Sequence, residues 1–308
     1  MGGALTLDAA GSQAAPVASL THILLWGGAA IMLLVLVLLA VALAGPARWR
    51  SRMASERFVL GLGFAFPVVV LSVLLVVGLT MTSALGKTPE NSRGGDPLTV
   101  RITGYRWWWS VRYPDFLTAN ELVIPAGRPV MLQLAAADVI HSFWVPQLAG
   151  KRDMIPGKLN RLLIEAERPG EYFAICAEYC GGPHALMQFR VRALTPAAFD
   201  AWAANQRRAA AVPASLAAQE GEGLFRRLGC GGCHRVAGTG QAGSRGPDLT
   251  HVASRTRIGA GILPNTAANL RGFTANAHAY KPGVVMPPFD QLQPSELDAL
   301  AAYLAGLK

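Results

Sequence analysis

The residues of this 308-residue chain that could do chemistry begin with the run CAEYCGGPHALM. Cys180, His184 and Met187 follow one another at the spacing C-x3-H-x2-M, which supplies a thiolate, an imidazole and a thioether. This mixture of ligands suits copper, and a weakly bound axial methionine is typical of electron-transfer copper sites. Cys176 adds a second thiolate, and two thiolates can bridge two metal ions. The pattern therefore predicts a binuclear copper site.

A binuclear centre needs a second imidazole, and His141 in the run DVIHSFWVP supplies one. Two other interpretations of the cysteines remain, a disulfide between Cys176 and Cys180 or a zinc site with two cysteines and two histidines. Neither of them explains Met187, so copper is favoured.

The two stretches DVIHSFWVPQLAGKRDMIPGKLN and GEYFAICAEYCGGPHALM resemble subunit II of the haem–copper cytochrome c oxidases. The resemblance implies a cupredoxin-like Greek-key β-barrel. It also implies that a dinuclear copper centre, CuA, has as its side-chain ligands His141, Cys176, Cys180, His184 and Met187. By the same resemblance, Glu178 gives its backbone carbonyl to one copper, and its carboxylate helps to hold a Mg²⁺ ion at the contact with subunit I.

A second redox motif, CGGCH, contains Cys230, Cys233 and His234. In the signature for c-type haem attachment, two thiols bond to the porphyrin and the adjacent histidine binds the iron. A C-x-x-C pair alone could be a redox pair or half of a zinc site, but the abutting histidine favours haem. Met286 in KPGVVMPPF is the candidate for the other axial position. Residues 218–308 resemble class I cytochrome c, in the version fused to subunit II of caa-type oxidases.

The four cysteines are all assigned by these two motifs, two to copper and two to haem, so no structural disulfide is expected. Haem is attached to such motifs on the outer face of the bacterial inner membrane. We therefore expect both redox domains on the periplasmic side.

Two uncharged apolar runs, residues 20–44 and 58–81, exceed the about 20 residues that cross a bilayer core. They predict a transmembrane hairpin, with Pro67 as a possible kink, although a buried core helix would show a similar run. The loop between them carries Arg48, Arg50 and Arg52. Because basic loops stay in the cytoplasm, both termini are predicted outside. No basic signal-peptide region precedes the first run, so no signal peptide is expected.

The formal net charge is +9, yet the sequence has no aromatic–basic motif of nucleic-acid recognition. No nucleic-acid partner is expected. Three interpretations of the excess of basic residues stay open: steering of a redox partner, attraction to anionic lipid, or a solvated surface with no special role. With 52% hydrophobic and 15% charged residues, the chain is too apolar to be an ordinary soluble protein, which agrees with the two spans.

These patterns predict a membrane-anchored multidomain chain: a two-helix transmembrane hairpin, an all-β cupredoxin-like CuA domain and an all-α class I cytochrome c domain. Thr195 and Pro196 predict a helix start, and Ser295 with Asp298 predict a capping box for the last helix. The expected segments are an N-terminal periplasmic segment at 1–19, the hairpin at 20–86, the CuA domain at 87–194, a helix and linker at 195–217, and the cytochrome domain at 218–308.

The resemblance implies one further site residue, Trp107, as the port through which electrons reach CuA; it is the first of three consecutive tryptophans.

The predicted function is that of the subunit through which electrons enter a proton-translocating terminal oxidase of the bacterial inner membrane. An external cytochrome c would reduce the haem c, and CuA would pass electrons to subunit I, which carries haem a, a haem a3-type centre and CuB. Subunit III is a further expected partner, and oxygen reduction is expected in subunit I.

Four other functions compete with this prediction. A CuA subunit of a nitric-oxide reductase or a stand-alone membrane-tethered electron shuttle would carry the same motifs. Nitrous-oxide reductase needs a multi-histidine copper cluster that six histidines, three of them assigned, cannot supply. A quinol oxidase subunit is disfavoured because those subunits lack the copper ligands found here.

Overall fold

The computed structural model describes residues 8–85 and 97–308. These residues divide into two compact units. One unit contains the helices from residue 15 to residue 85. The other contains residues 8–14 together with residues 97–308.

The first unit holds two helices that are long and apolar enough to cross a membrane, Ala15–Ala44 and Glu56–Met81. Helix α1 spans Ala15–Ala44 and so begins before the predicted span at residue 20. Short helices α2 (Ala47–Met53) and α3 (Glu56–Phe58) follow. A π-helical stretch, Val59–Ala65, then leads into α4, which spans Phe66–Leu85.

The π-helical stretch ends just before Pro67. Proline has no N–H to donate, and its ring crowds the carbonyl four residues earlier in an α-helix. A widened turn removes that crowding, and π-bulges are common where an α-helix must absorb such a disturbance. The disturbance predicted from Pro67 therefore takes the form of a change in helix type.

The second unit begins with a sandwich of two five-stranded sheets, as the cupredoxin-like prediction requires. The strand order is β3-β2-β1-β5-β8 in one sheet and β4-β10-β9-β6-β7 in the other. The strands are β1 (Leu98–Tyr105), β2 (Trp108–Arg112), β3 (Leu117–Ala119), β4 (Glu121–Pro125), β5 (Val130–Ala136), β6 (His141–Trp144), β7 (Arg152–Met154), β8 (Asn160–Ile164), β9 (Gly170–Cys176) and β10 (Gln188–Leu194).

Alternation of side chains explains how these strands build the core. Val100 and Ile102 on β1 and Phe189 and Val191 on β10 are fully buried, while their neighbours face outward or remain half-buried. Strand β4 departs from alternation because all five of its residues are buried. A helix and the C-terminal domain both lie against it.

The segment before α1 also belongs to this sandwich. The N–H of Ala10 donates to Gln147 O at 2.8 Å, and the N–H of Glu167 donates to Ala10 O at 3.0 Å. Ser12 Oγ donates to the Glu165 carboxylate at 3.1 Å. The sequence had suggested only a periplasmic extension here, with no sign of this pairing.

The chain continues as a helical domain. Helix α5 (Pro196–Gln206) packs on the sandwich and comes before this domain. The helices of the domain itself are α6 (Leu216–Arg227), α7 (Ala267–Ala275), α8 (Ala277–Tyr280) and α9 (Pro294–Gly306), with two-residue strands β11 (Arg235–Val236), β12 (Gln241–Ala242), β13 (Arg257–Ile258) and β14 (Leu263–Pro264). Helices α6 and α9 pack together around Phe225 and Tyr303, whose ring centroids are 5.5 Å apart. The predicted N-cap Thr195 accepts from the Ala198 N–H, so this start is confirmed.

The predicted capping box of the last helix is wrong by two residues. Helix α9 begins at Pro294, its N-cap is Gln293, and the Glu296 carboxylate accepts from the Gln293 N–H at 2.9 Å. Proline fits the first helical position because its missing N–H would be unpaired there anyway. Ser295 therefore lies inside the helix, and Asp298 instead pairs with Arg271.

Candidate functional site

Strand pairing and one loop bring the predicted copper residues together. Strand β9 ends at Cys176, and β6 begins at His141; these two strands pair antiparallel with Phe143 opposite Cys176. The loop from Cys176 to Met187 then turns back through a 3₁₀ turn, His184–Leu186, into β10. A rigid sheet thus holds both ends of the loop.

The distances within this site are short. The two sulfurs of Cys176 and Cys180 lie 3.8 Å apart. Cys176 Sγ is 3.9 Å from His141 Nδ1 and 3.2 Å from the Glu178 carbonyl oxygen. Cys180 Sγ is 3.4 Å from His184 Nδ1 and 3.8 Å from Met187 Sδ.

Each sulfur therefore has one imidazole and one further donor beside it. The ligand atoms of His141, Cys176 and Cys180 all lie within 4.8 Å of one another, and all three residues are buried. Two sulfurs, two imidazoles, a thioether and a carbonyl around one point form a donor set that fits a copper pair. All four cysteines of the chain are free thiols, so the disulfide interpretation of Cys176 and Cys180 is not observed.

Asp138 orients His141 and was given no role from the sequence. Its Oδ1 lies 2.9 Å from His141 Nε2, and its two oxygens also accept from the N–H groups of Arg106 and Val139. Because a carboxylate only accepts, His141 Nε2 carries the proton and Nδ1 is left to face the sulfur. Such a carboxylate partner fixes the orientation of a metal-binding histidine. In the sequence, this role could have been inferred from the position of Asp138 three residues before His141.

Gly104 on β1 lets this histidine ring pack against the sheet. A Cβ at this position would lie 2.9 Å from His141 Cδ2, closer than carbon atoms approach in proteins. The His141 ring therefore packs directly against the backbone of Gly104, and this contact restricts its rotation.

The electrostatics favour ionisation of one of the two thiols. The hydrogen bond with Cys180 lowers the pKa of Cys176 well below that of a free thiol, and His141 adds to this effect. The same hydrogen bond, together with burial, raises the pKa of Cys180. Burial disfavours the charged form of His141, but hydrogen bonds to Cys176 and Asp138 outweigh it and raise the pKa of His141. Cys176 is therefore the thiol that ionises more readily, and a bound cation would favour loss of the proton from Cys180 as well.

Glu178 presents different groups in two directions. Its carbonyl oxygen faces Cys176, as described, whereas its half-exposed carboxylate pairs with Lys151 Nζ at 3.3 Å. Lys151 also pairs with Asp153 at 3.1 Å. The carboxylate predicted to hold Mg²⁺ is thus neutralised by a lysine at the surface of this chain.

Trp107 lies directly over the copper-site loop. Its indole Nε1 donates to the carbonyl oxygen of Cys180 at 3.0 Å. Its ring edge lies against Gly182, because a Cβ there would be 3.3 Å from the ring. The tryptophan is therefore hydrogen-bonded to the backbone of one of the two site cysteines.

The haem motif lies on a tight turn after α6. A 3₁₀ turn spans Cys230–Gly232, and Cys233 and His234 follow it. His234 Nδ1 donates to the carbonyl oxygen of Pro247 at 2.8 Å, so its Nε2 is left with a free lone pair. Burial lowers the pKa of His234, which keeps the imidazole neutral and able to bind a metal. Gly246 allows this arrangement, since a Cβ there would lie 2.6 Å from the ring.

Met286 is held through its backbone. His278 Nε2 donates to the Met286 carbonyl oxygen at 3.0 Å. The sequence offered no signal for this role of His278. With the thiols of Cys230 half-buried and Cys233 exposed, the set of two thiols, a neutral imidazole and a thioether fits covalent haem.

Comparisons with known proteins agree with both parts of the site. Residues 117–194 match the family model described as cytochrome c oxidase subunit II, periplasmic domain, and residues 218–308 match the model described as cytochrome c. Cytochrome c oxidase subunit 2 of Alkalihalophilus pseudofirmus is 37% identical over 245 residues, covering 79% of this chain and 71% of the relative. The Bacillus subtilis protein of the same name is 32% identical over 258 residues, with 79% and 72% covered.

Among solved structures, the periplasmic domain of subunit II of cytochrome oxidase from Bradyrhizobium japonicum is 33% identical. The match covers 36% of this chain and 93% of that one, with a TM-score of 0.35.

The first domain match implies copper of the CuA type, and the second implies haem. The relatives are subunits of an oxidoreductase complex, which implies subunit I as a partner. The chain therefore belongs to the cytochrome c oxidase subunit 2 family, in the form in which a cytochrome c domain is fused to the copper domain of a membrane-anchored subunit that admits electrons to the oxidase.

Proposed function

We propose that this chain takes electrons from a cytochrome c donor and delivers them to the oxygen-reducing centre of subunit I. The observation that carries the proposal is the pair of sulfurs, Cys176 and Cys180, 3.8 Å apart, each with its own imidazole, in a chain that also contains a haem motif. A dinuclear copper centre and a haem c, when bound, both carry single electrons, and they supply the route.

The copper pair would be held by residues that are already close together. The thiolates of Cys176 and Cys180 and the imidazoles of His141 and His184 would hold the copper ions. The Met187 thioether and the Glu178 carbonyl would be the two weaker ligands. Burial of Cys176, Cys180 and Met187 keeps water from the sulfurs, and the β-sheet limits movement of the ligands when the charge of the site changes.

The haem would be attached covalently through Cys230 and Cys233. His234 would bind the iron through Nε2, because its Nδ1 is engaged with Pro247. Met286 would supply the thioether ligand. A histidine–methionine pair would raise the haem potential, which suits the acceptance of electrons from a cytochrome c donor.

Trp107 is assigned as the electron port to the copper pair. The hydrogen bond from its indole to the Cys180 carbonyl supports this role, because it links the ring directly to the backbone of a proposed copper ligand. The Glu178 carboxylate is assigned to a Mg²⁺ ion shared with subunit I. It would have to exchange Lys151 for the ion when the two subunits meet.

The proposed domain limits follow those predicted from the sequence, with the CuA domain at 87–194 and the cytochrome domain at 218–308, except that residues 8–14 are added to the CuA domain. Both apolar helices are proposed to cross the bacterial inner membrane, with the arginine-rich loop in the cytoplasm and both redox domains outside. Subunit III and an external cytochrome c complete the set of proposed partners.

The test is metal and optical analysis of the complex purified gently from membranes. We expect two coppers and one covalent haem c on this chain, a near-infrared mixed-valence absorption band, and oxygen uptake with subunit I present. Nitric-oxide turnover without oxygen uptake would indicate the reductase instead. Purification of the chain without a polytopic partner would indicate an electron shuttle, and zinc in place of copper would overturn the assignment.

A further inference from the structure

Lys281 is a buried cation that the roles assigned so far do not use. It follows α8 and precedes Met286, and only 2% of its surface is exposed. No carboxylate among the described residues lies within ion-pair distance of its Nζ. Burial lowers the pKa of Lys281 to about 7, and this effect outweighs the opposing effect of the nearby Cys180. Lysine is almost never fully buried unless it is paired, so its hydrogen bonds need an explanation.

The ammonium group joins the two redox domains. Its Nζ donates to the carbonyl oxygen of Trp107 at 2.6 Å and to that of Gly259 at 3.2 Å. Trp107 belongs to the copper domain, whereas Gly259 and Lys281 belong to the haem domain. Because Trp107 Nε1 in turn donates to the Cys180 carbonyl, two hydrogen bonds and one indole connect Lys281 to the copper-site backbone.

The copper domain and the haem domain also contact each other around Lys281. Ala260 is 1% exposed and packs into the hydrophobic core of the copper domain, and its carbonyl accepts from the Gln188 N–H at 3.0 Å. Thr256 donates its N–H to the buried Glu121 carboxylate at 3.0 Å. Gly283, two residues after Lys281, lies against the Trp107 ring.

We propose that Lys281 is a positioning residue that fastens the haem domain over Trp107 and so fixes the route of electrons between the two redox sites of this chain. The inference rests on the proposed function. Apolar contacts and the tether after α5 keep the domains joined, but among the described residues of the haem domain Lys281 alone donates a hydrogen bond to the backbone of the proposed port. The haem domain is therefore docked at the port.

The test compares Lys281→Met with the natural chain in the intact complex. Methionine keeps the length and apolar stem but leaves the carbonyls of Trp107 and Gly259 without their donor. We expect hydrogen exchange at the Gln188 and Thr256 amides, both bonded across the domain contact, to become about tenfold faster. Internal electron transfer from haem to copper should slow about tenfold, while reduction of the haem by an external donor is unchanged.

Two further variants complete the experiment. Lys281→Gln keeps a donor for one carbonyl and should give an intermediate change in both measurements. Lys308→Met removes an exposed lysine of the same domain and should change neither. Unchanged exchange at Gln188 and Thr256 in Lys281→Met would overturn the proposal. Equally faster exchange throughout α9 would also overturn it, because the haem domain would then have lost its own fold.

Hydrogen exchange needs neither oxygen nor an electron donor. A chain that failed the oxidase test could therefore still show the docked domain, and the two proposals can fail separately.

Discussion

The copper site and the haem site are built in different ways. In the copper domain, paired strands end at the site, and the side chains of His141, Cys176, Cys180 and Met187 are almost completely buried. In the haem domain, Cys233 is exposed, Cys230 is half-buried, and His234 and Met286 come from loops 52 positions apart in the numbering (286 − 234). Each of these two loops is held by a hydrogen bond that a histidine ring donates to a backbone carbonyl.

The difference suggests two routes of cofactor acquisition under the proposed function. The proposed copper ligands lie together in the protein core, so folding alone brings them together. The proposed haem ligands His234 and Met286 are each hydrogen-bonded to the protein around them, and the proposed covalent attachment at Cys230 and Cys233 would bring the macrocycle into the domain. Four predictions test this contrast, beginning with the largest expected effect.

Replacing one of the two proposed copper-binding thiols should remove copper and leave haem in place. Cys180→Ser removes the sulfur that lies beside His184 and Met187. Copper affinity should fall by more than the about 10–100-fold that outer partners of a metal ligand cost. Metal analysis should show copper lost and haem c retained.

The converse variant, Cys233→Ser, should lose covalent haem and keep copper. If either substitution removed both cofactors, the two sites would not be independent.

Removing the carboxylate behind His141 should weaken the copper site without changing its ligands. Asp138→Asn keeps the shape but loses the charge that holds the ring proton on Nε2. We expect copper affinity to fall about 10–100-fold, measured by competition with a chelator. Asp200→Asn, an exposed change on α5, is the control and should have no effect. Equal copper retention in both variants would contradict the role of Asp138.

The stability of the contact between the copper domain and the haem domain should depend on Glu121. Its carboxylate is buried and pairs with Arg192 at 2.9 Å while accepting from Thr256 of the haem domain. Glu121→Gln should lower the free energy of unfolding by about 2 kcal/mol, because hydrogen bonds to a charged group are lost. Thermal unfolding of the complex measures this change.

Glu222→Gln breaks the pair with Arg226 on the surface of α6 and is the comparison. It should cost about 0.5 kcal/mol or less. Equal shifts in the unfolding temperature for the two variants would mean that the domain joint adds nothing to stability.

The smallest effect is expected at the loop that carries Met286. His278→Phe removes the donor to the Met286 carbonyl and should loosen the loop by about 1 kcal/mol. The methionine-to-iron charge-transfer absorption should weaken, whereas His278→Gln, which keeps an N–H at a similar position, should preserve it. A normal band in the phenylalanine variant would show that the loop is held by packing alone.

The sequence predicted those features that lie close together along the chain. The two redox motifs are short continuous runs, Cys176 to Met187 and Cys230 to His234, so the spacing of their residues indicates which metals and cofactors they suit. The alternating strands and the long apolar helices follow from the periodicity of apolar residues. The pairing of Lys281 with Trp107 joins residues 174 positions apart, and no local pattern encodes it. The capping error at α9 has a local cause, since both Gln293 and Ser295 flank Pro294 and only the backbone geometry selects between them.

The pairing of residues 8–14 with the sandwich makes the copper domain discontinuous in the chain. Ala10 is hydrogen-bonded on both sides, to Gln147 and to Glu167, yet both long apolar helices separate it in sequence from β1. A soluble fragment designed from the family match alone would start beyond these helices and omit this strip. The Glu167 amide would then lose its acceptor, and Leu148 would lose part of its cover. A fragment that carries residues 8–14 on a linker to residue 97 is the better design for isolating the copper domain.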